Sequence, residues 1–462
     1  MAGTPTTRWQ IGAHRFSVRR LDHALVLGDT SMRHEPLRST ARASAVGVVV
    51  AVLILAGCAA LAFVRPAARI GDAVIVLDDE SGALYVVEDD TLHPASDLAS
   101  ARLFAGRPDE PTAVGPDEIA RRARGAAIGI GGAPQALPVT TGAMVWSVCE
   151  ESDNGTTDVT VEPVGTQSVA PRRALDPDDA LVWRRDGVDY LVHGQVRARV
   201  DLQNTAVTRA LGLEDAVPTP VSAGLFDAVP EAPEIVTPTV IGSGAAAPYP
   251  IGGRPVGSVV TVDLGDRSEH YVVLQDGVQA IGAATAQLLR FSDSAGRVGV
   301  DAVPPDVIAR APRTAAPLAV DTFPERPPII VTGGDATCVE WVGPDESTGR
   351  GAQTRMTIGA TADSRAVALA GADGAGDGLD TFFVAPGSGL YVATTGQAAD
   401  DPRRDSAFYV ADTGTRFGVP FTQDAEALGL GDPAPAPWPV VGLLPTGPAL
   451  TVDAARVGHD GS

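Results

Sequence analysis

The 462-residue chain contains no lysine; all 35 of its basic residues are arginine. A Walker A loop needs a lysine to reach the phosphates, so that loop is excluded. Schiff-base lysine chemistry is excluded with it. Cysteine is nearly as scarce, with three in the chain, and there are seven histidines. No H-E-x-x-H and no Cys/His cluster occurs, so a zinc site is not expected. Nucleophilic catalysis needs a serine or cysteine beside a base, and no G-x-S-x-G elbow is present. His93, His193, His270 and His459 lie beside strand-like segments or in the tail, where packed or solvated histidines are expected.

Positive charge is scarce over most of the chain. The total is −22, yet residues 1–42 hold seven arginines against three acids and carry +4, which leaves −26 for the remainder. So acidic a remainder is a poor binder of nucleic acid or anionic lipid, because phosphates need cationic partners. Charge is absent altogether from Ala43 to Val64, 22 residues that contain "VVVAVLILAGCAALAFV". As a helix this run would extend about 33 Å, enough to cross a bilayer. "LAGC" at 55–58 is spelled like a lipoprotein processing site. The 42 residues before the core and the apolar residues after Cys58 favour an uncleaved anchor. The basic flank orients it with the N-terminus in the cytoplasm and everything after it outside. Localisation is expected to be the plasma membrane, as a single-pass protein.

A phrase recurs in the exported part. "SGALYVVEDDTLHPASDLASARLF" (81–104), "DGVDYLVHGQVRARVDLQNTAVTRALGL" (186–213), "RSEHYVVLQDGVQAIGAATAQLLRF" (267–291) and "DSAFYVADTGTRFGVPFTQDAEALGL" (405–430) each read as a tyrosine strand, a turn, a second strand and a small helix. Tyr85, Tyr190, Tyr271 and Tyr409 mark the strands, and core packing is their expected role. Between copies one and two, and between three and four, lie long inserts that resemble each other. "PDEIAR" (116–121) answers "PDVIAR" (305–310) at an offset of 189, and Cys149 answers Cys338 at the same offset. The simplest account is an internal duplication whose halves are related by a pseudo-twofold axis. Cys149 and Cys338 are the two cysteines outside the apolar run, and an oxidising compartment favours their pairing.

The expected fold class is therefore α+β, mostly β, with four strand-strand-helix repeats in two halves around a disulfide-linked centre, after one transmembrane helix. The expected segments are a basic segment with an amphipathic helix (1–42), the span (43–64), a juxtamembrane linker (65–80), repeat 1 (81–106), insert A (107–183), repeat 2 with its tail (184–230), a linker (231–264), repeat 3 (265–291), insert B (292–404), repeat 4 with its tail (405–450) and a frayed end (451–462). "DGAGDGLD" (373–380) is rich in oxygen ligands but lacks calcium-loop spacing, so a solvated loop is expected. Phe16, Arg19, Arg20, His23 and Leu27 fall near helical spacing. They could rest on anionic headgroups or dock onto a cytoplasmic partner, and docking is favoured.

The segment "TTRWQIGAHRFSVRRLDHALVLGDTSMRHEPLRS" (6–39), running into "AVGVVVAVLILAGCAAL", resembles the EccB family of type VII (ESX) secretion systems. "SGALYVVEDDTLHPASDLASARLF" is similar to that family's first exported repeat. The resemblance covers the whole chain and is looser beyond residue 345. It implies an elongated exported domain of four repeats around a β-rich, disulfide-bearing centre, with no cofactor. It implies a structural role in the membrane beside an FtsK/SpoIIIE-type ATPase, a multi-pass channel-like subunit, further membrane components and a subtilisin-like protease, with self-association through the exported domain. Some members of that family have been described as ATP hydrolases. That remains the alternative function, together with a cell-envelope or peptidoglycan-binding module.

Overall fold

The computed structural model describes residues 7–28, 36–64, 69–165, 172–265, 267–292, 301–344, 349–360, 366–397 and 405–459, without the side chains of 27, 36–41 and 59–64. The chain divides into two compact units, 1–69 and 70–462.

Among its described residues the first unit contains two helices. Arg8–Leu27 starts where the Thr7 N–H donates to Gln10 Oε1 at 3.0 Å, and stops at Gly28, whose φ of 66° ends the helix. Pro36–Val64 begins on a proline, which helices accept at their first turn, and carries the apolar run. Its side chains are described to Cys58, so the far end of the expected span lies outside the described residues. Among the described residues no helix is long and apolar enough to cross a membrane.

The second unit is mixed α and β, mostly sheet. Among the described residues it has five sheets, four of them built along one path. Three strands meander antiparallel, a helix follows, and a last short strand returns parallel to the first. In the first module these are Ile75–Asp78, Leu84–Glu88, Thr91–Ala95, helix Leu98–Ala105 and Thr112–Val114. In the second they are Asp179–Arg185, Val188–His193, Val196–Val200, helix Thr205–Leu211 and Thr219–Pro220. The third has Val259–Asp263, Ser268–Val273, Val278–Ile281, helix Ala283–Ser292 and Asp301–Ala302. The fourth has Gly389–Thr395, Ala407–Ala411, Arg416–Gly418, helix Thr422–Leu428 and Ala434–Pro437. The tight hairpins follow from their turn residues. Asp186 and Gly187 (φ 52° and 76°), and Asp89 and Asp90 (φ 46° and 65°), take the left-handed backbone that two-residue turns require.

Each module opens one strand before its tyrosine strand, so the segment bounds read from sequence need correction. Ile75–Asp78 lies in the stretch read as juxtamembrane linker, and Gly389–Thr395 in the one read as insert B. The stretch read as a linker, 231–264, contains strands Glu231–Ile235 and Val259–Asp263. The tail is not frayed over its described part. Thr451 caps a turn of helix at Val452–Ala455, and Gly458–His459 pairs with Ala127–Ile128 near the first module. A side-chain cap and a sheet edge satisfy backbone groups that a free tail would leave to water.

The modules share cores in pairs. Leu103 and Phe104 of the first pack in one cluster with Phe417 and Leu428 of the fourth. Val207 and Leu211 of the second cluster with Leu288 and Leu289 of the third. The fifth sheet is central and has seven strands, ordered Val367–Ala368, Thr381–Phe383, Thr157–Pro163, Met144–Glu151, Ala336–Val342, Gln353–Gly359 and Arg172–Ala174. One of its faces carries Trp146, Val148, Val339 and Trp341 into a core with Trp183 of the second module and Leu390 and Val392 of the fourth. The inserts cross over. The Thr140 N–H donates to the Gly389 carbonyl at 2.7 Å, in the fourth module. The Ile329 N–H donates to the Asp178 carbonyl at 2.8 Å, at the edge of the second.

Candidate functional sites on the central sheet

Met144–Glu151 and Ala336–Val342 run antiparallel with Cys149 opposite Cys338, and the two cysteines form a disulfide. Side chains alternate across the pleat, so the neighbouring rows separate by face. Glu150 faces Thr337, Val148 faces Val339 and Trp146 faces Trp341 on one side. The other side holds the disulfide and the pair Ser147–Glu340.

That second side is polar and buried. Glu340, 6% exposed, takes Arg355 Nε at 2.6 Å, the Thr357 hydroxyl at 3.3 Å and Arg172 at 3.5 Å. Two arginines and a hydroxyl thus satisfy one buried carboxylate. Asp158, opposite Cys149 on the adjacent strand, accepts the Thr381 hydroxyl. Burial pushes its carboxyl pKa up to about 6.

Three clefts border this centre and the fourth module. The first, 510 Å³, lies between the turn at 150–155, the return strand of the second module and residues 332–337. The second, also 510 Å³, lies between residues 139–144, Gly343 and Pro344, the first strand of the fourth module and residues 432–435. These two occupy corresponding places at opposite ends of the disulfide-joined strands. The third, 880 Å³, lies on the fourth module and is lined, among the described residues, by Asp405, Glu426 and Asp432 together with Phe408 and Phe421.

The loop 370–380 spends its carboxylates on the protein itself. Asp380 accepts the N–H groups of Asp373, Gly374 and Thr157 at 2.8–2.9 Å. Asp373 accepts the Gly378 N–H at 3.2 Å. Asp377 forms a two-point pair with Arg185 at 2.5 and 2.7 Å and accepts the Ala223 N–H at 3.0 Å. The Arg185 guanidinium holds the Asp377 pKa down to about 2. The loop is therefore a strap from the second insert onto the second module. Among the described residues, no group of three or more His, Cys, Asp or Glu side chains could hold a metal ion.

The residues singled out in the sequence are dispersed. Tyr85, Tyr271 and Tyr409 are buried, and Tyr409 donates from its hydroxyl to the Pro138 carbonyl at 3.0 Å, tying the fourth module to the first insert. Tyr190 is half-buried and meets Phe226 edge-on at 4.8 Å. His93, His270 and His459 bond to Ala126, Thr261 and Gly129 respectively, at 2.9–3.1 Å. His193 is buried, which lowers its pKa. In the N-terminal helix Phe16, Arg19 and Arg20 are exposed, whereas His23 is buried. The side chain of Leu27 lies outside the described residues. Glu150, Thr337, Asp158 and the Arg185–Asp377 pair went unnoticed in the sequence. The first two follow one cysteine and precede the other, a signal that antiparallel pairing would have made readable.

Comparison with known proteins adds findings of three kinds. A family model described as "Type VII secretion system ESX-1, transport TM domain B", of the EccB type, matches residues 3–462. The ESX-3 secretion system ATPase EccB3 of Mycolicibacterium smegmatis is 35% identical, over 98% of this chain and 91% of that protein. The ESX-1 secretion system ATPase EccB1 of Mycobacterium tuberculosis is 32% identical, over 98% of this chain and 95% of that protein. Among solved structures, an intact ESX-5 inner membrane complex contains a chain that aligns with a TM-score of 0.73 at 32% identity, covering 100% of this chain and 97% of that one. An EccB3 dimer from the ESX-3 core complex aligns with a TM-score of 0.72 at 33% identity, covering 83% of this chain and 100% of that one.

Proposed function

The chain belongs to the EccB family of type VII secretion systems, and from that premise we propose that it is a structural subunit of an ESX inner-membrane complex. The observation that carries this reading is the alignment along the whole chain with a subunit of an intact ESX-5 inner membrane complex. The apolar stretch 43–64 is the single membrane span, with residues 1–42 in the cytoplasm and 70–462 outside. The charge step from +4 to −26 supports this orientation. The exported region comprises two pseudo-twofold halves, modules one and two against modules three and four. The 189-residue offset shared by Cys149/Cys338 and by the crossover contacts of Thr140 and Ile329 supports that symmetry.

The N-terminal helix docks onto cytoplasmic partner domains through Phe16, Arg19 and Arg20. Its exposed Trp9, Leu21 and Leu25, 64–89% accessible, support a role in contact rather than in its own core. The partners are an FtsK/SpoIIIE-type ATPase, a multi-pass channel-like subunit, further membrane components and a subtilisin-like protease. A second copy of the chain joins through the exported modules; the dimeric state named for the EccB3 structure supports this.

The relatives' names carry the word ATPase, so nucleotide hydrolysis is the rival reading. The residues favour the scaffold. No lysine is available for a phosphate loop. The 880 Å³ cleft carries three acids in its described wall, and Arg185 in the first cleft is committed to Asp377. A triphosphate would meet like charge in both. Removing residues 7–28 and purifying the complex tests the reading. Loss of the other membrane subunits is the expected result. A complex of unchanged composition, together with ATP turnover by the purified chain alone, would overturn it.

A further inference from the structure

Helix Thr422–Leu428 of the fourth module holds a carboxyl group where charge is costly. Asp424 is fully buried. One of its oxygens accepts the Val452 N–H at 3.1 Å, and the other has no partner. It is the third residue of its helix, where the dipole favours a charged carboxylate. Burial outweighs that and raises its pKa. Among the described residues, the elements that share this core offer it no free cation. On its own helix, Glu426 is exposed. On helix Leu98–Ala105, Arg102 is spent on the carbonyls of Leu428 and Asp109 and on Glu110. On the strands of the fourth module, Arg416 bonds to the Val441 carbonyl and the Thr446 hydroxyl, and Tyr391 and Tyr409 are phenols whose pKa burial raises. On the C-terminal turn, Arg456 lies over the Phe104 ring, and Asp453 adds a like charge that raises the Asp424 pKa further.

The N–H that serves Asp424 belongs to the last described segment, residues 451–459. The Thr451 hydroxyl accepts the Ala454 N–H at 3.1 Å and caps its turn of helix. Ala455 sits in the core shared by modules one and four. Gly458–His459 pairs with Ala127–Ile128, and His459 adds a bond to the Gly129 carbonyl at 3.0 Å. We propose that residues 451–459 form a proton-tuned latch: a neutral Asp424 lets the segment close across modules four and one, and an ionised Asp424 loosens it. Opening removes the Val452 N–H and gives the carboxyl to water, where its charged form is favoured. The pKa of the closed form is raised above 3.8, so the latch is tightest below that pH and weakens as pH rises through the raised value. Opening frees the sheet edge at Ala127–Ile128, whose backbone groups can then pair with another strand. The inference goes beyond the scaffold reading and does not depend on it, since it is read on the purified chain.

The test is hydrogen exchange of the detergent-solubilised full chain from about pH 4 to about pH 8, corrected for the intrinsic pH dependence of exchange and read at residues 452–459 and at Ala127–Ile128. Protection there should fall several-fold as pH rises, while helix Thr205–Leu211 of the second module shows no such trend. Asp424→Asn is neutral at every pH and keeps an oxygen for the Val452 N–H, so its protection should stay flat at the acid level. Asp453→Asn removes the like charge and should move the transition to lower pH. It touches no hydrogen bond named above, so it carries the test if Asp424→Asn alters the circular dichroism spectrum. Histidine can titrate in the same window, so His459→Gln is included and should keep the trend. Protection independent of pH in the parent chain, the parent's trend retained in a folded Asp424→Asn, an unmoved transition in Asp453→Asn, or a trend that vanishes in His459→Gln would each overturn the proposal.

Discussion

Trp146 and Trp341 lie directly opposite one another on antiparallel strands, three rows from the Cys149–Cys338 disulfide. In sequence they look mismatched, because one precedes its cysteine by three and the other follows by three. Antiparallel pairing makes those opposite offsets a single row. The tryptophans are therefore cross-strand neighbours rather than symmetry equivalents, and both face the core shared with modules two and four. Trp341 is 3% exposed and its indole N–H has no acceptor. Trp341→Ala should destabilise the chain by about 3–5 kcal/mol through lost burial and a cavity. Trp341→Phe should cost much less, because it discards an unpaired N–H whose burial costs about 1–3 kcal/mol. Denaturant titration of the two variants decides this.

The disulfide closes a loop of 189 residues. Cys149→Ser should lower stability by about 2–5 kcal/mol. It should also abolish the mobility shift between reducing and non-reducing gels. Module pairs one–four and two–three keep their own cores, so the variant should retain sheet content while the centre exchanges amide hydrogens faster.

Asp158 provides a pH signature. Its folded-state pKa is raised from 3.8 to about 6, so folding takes up a proton between those values. The neutral carboxyl's contribution is fully present below pH 3.8 and is lost as pH rises through 6. Asp158→Asn mimics the neutral form and can still accept the Thr381 hydroxyl. Its melting temperature should exceed that of the parent above pH 6, and the gap should close below about pH 4. A gap independent of pH would show that the carboxyl does not titrate there.

The C-terminal segment binds the fourth module to the first. The Val452 N–H donates to Asp424, a fully buried carboxylate whose other oxygen has no partner. His459 bonds to the Gly129 carbonyl, and the Arg456 guanidinium lies over the Phe104 ring. Truncation after Leu450 should cost about 1–3 kcal/mol by leaving Asp424 without its donor. Hydrogen exchange should rise in helix Leu98–Ala105 and strand Ala127–Ile128, and not in modules two and three.

What could be read from sequence was local. The tyrosine strands alternate and end in Asp/Gly turns, so the second and third strands of each module and their helices were legible. The return strands were not, because Thr219–Pro220 and Ala434–Pro437 carry proline, which argues against a strand except at a sheet edge. The opening strands precede the aromatic residue on which the repeat was recognised. The tail reads as polar spacer, and only the sheet edge at Ala127–Ile128 gives it structure. Glu150 and Thr337 stand 187 residues apart and meet through register alone, which no window along the chain reveals.

The central claim is that this chain is a structural subunit of an ESX membrane complex. The most direct measurement is native. Membranes are solubilised in mild detergent, the chain is drawn out by a C-terminal tag, and the product is sized and its components identified by mass spectrometry. The account predicts a very large assembly that contains an FtsK/SpoIIIE-type ATPase and a multi-pass subunit. A small species holding this chain alone would contradict it.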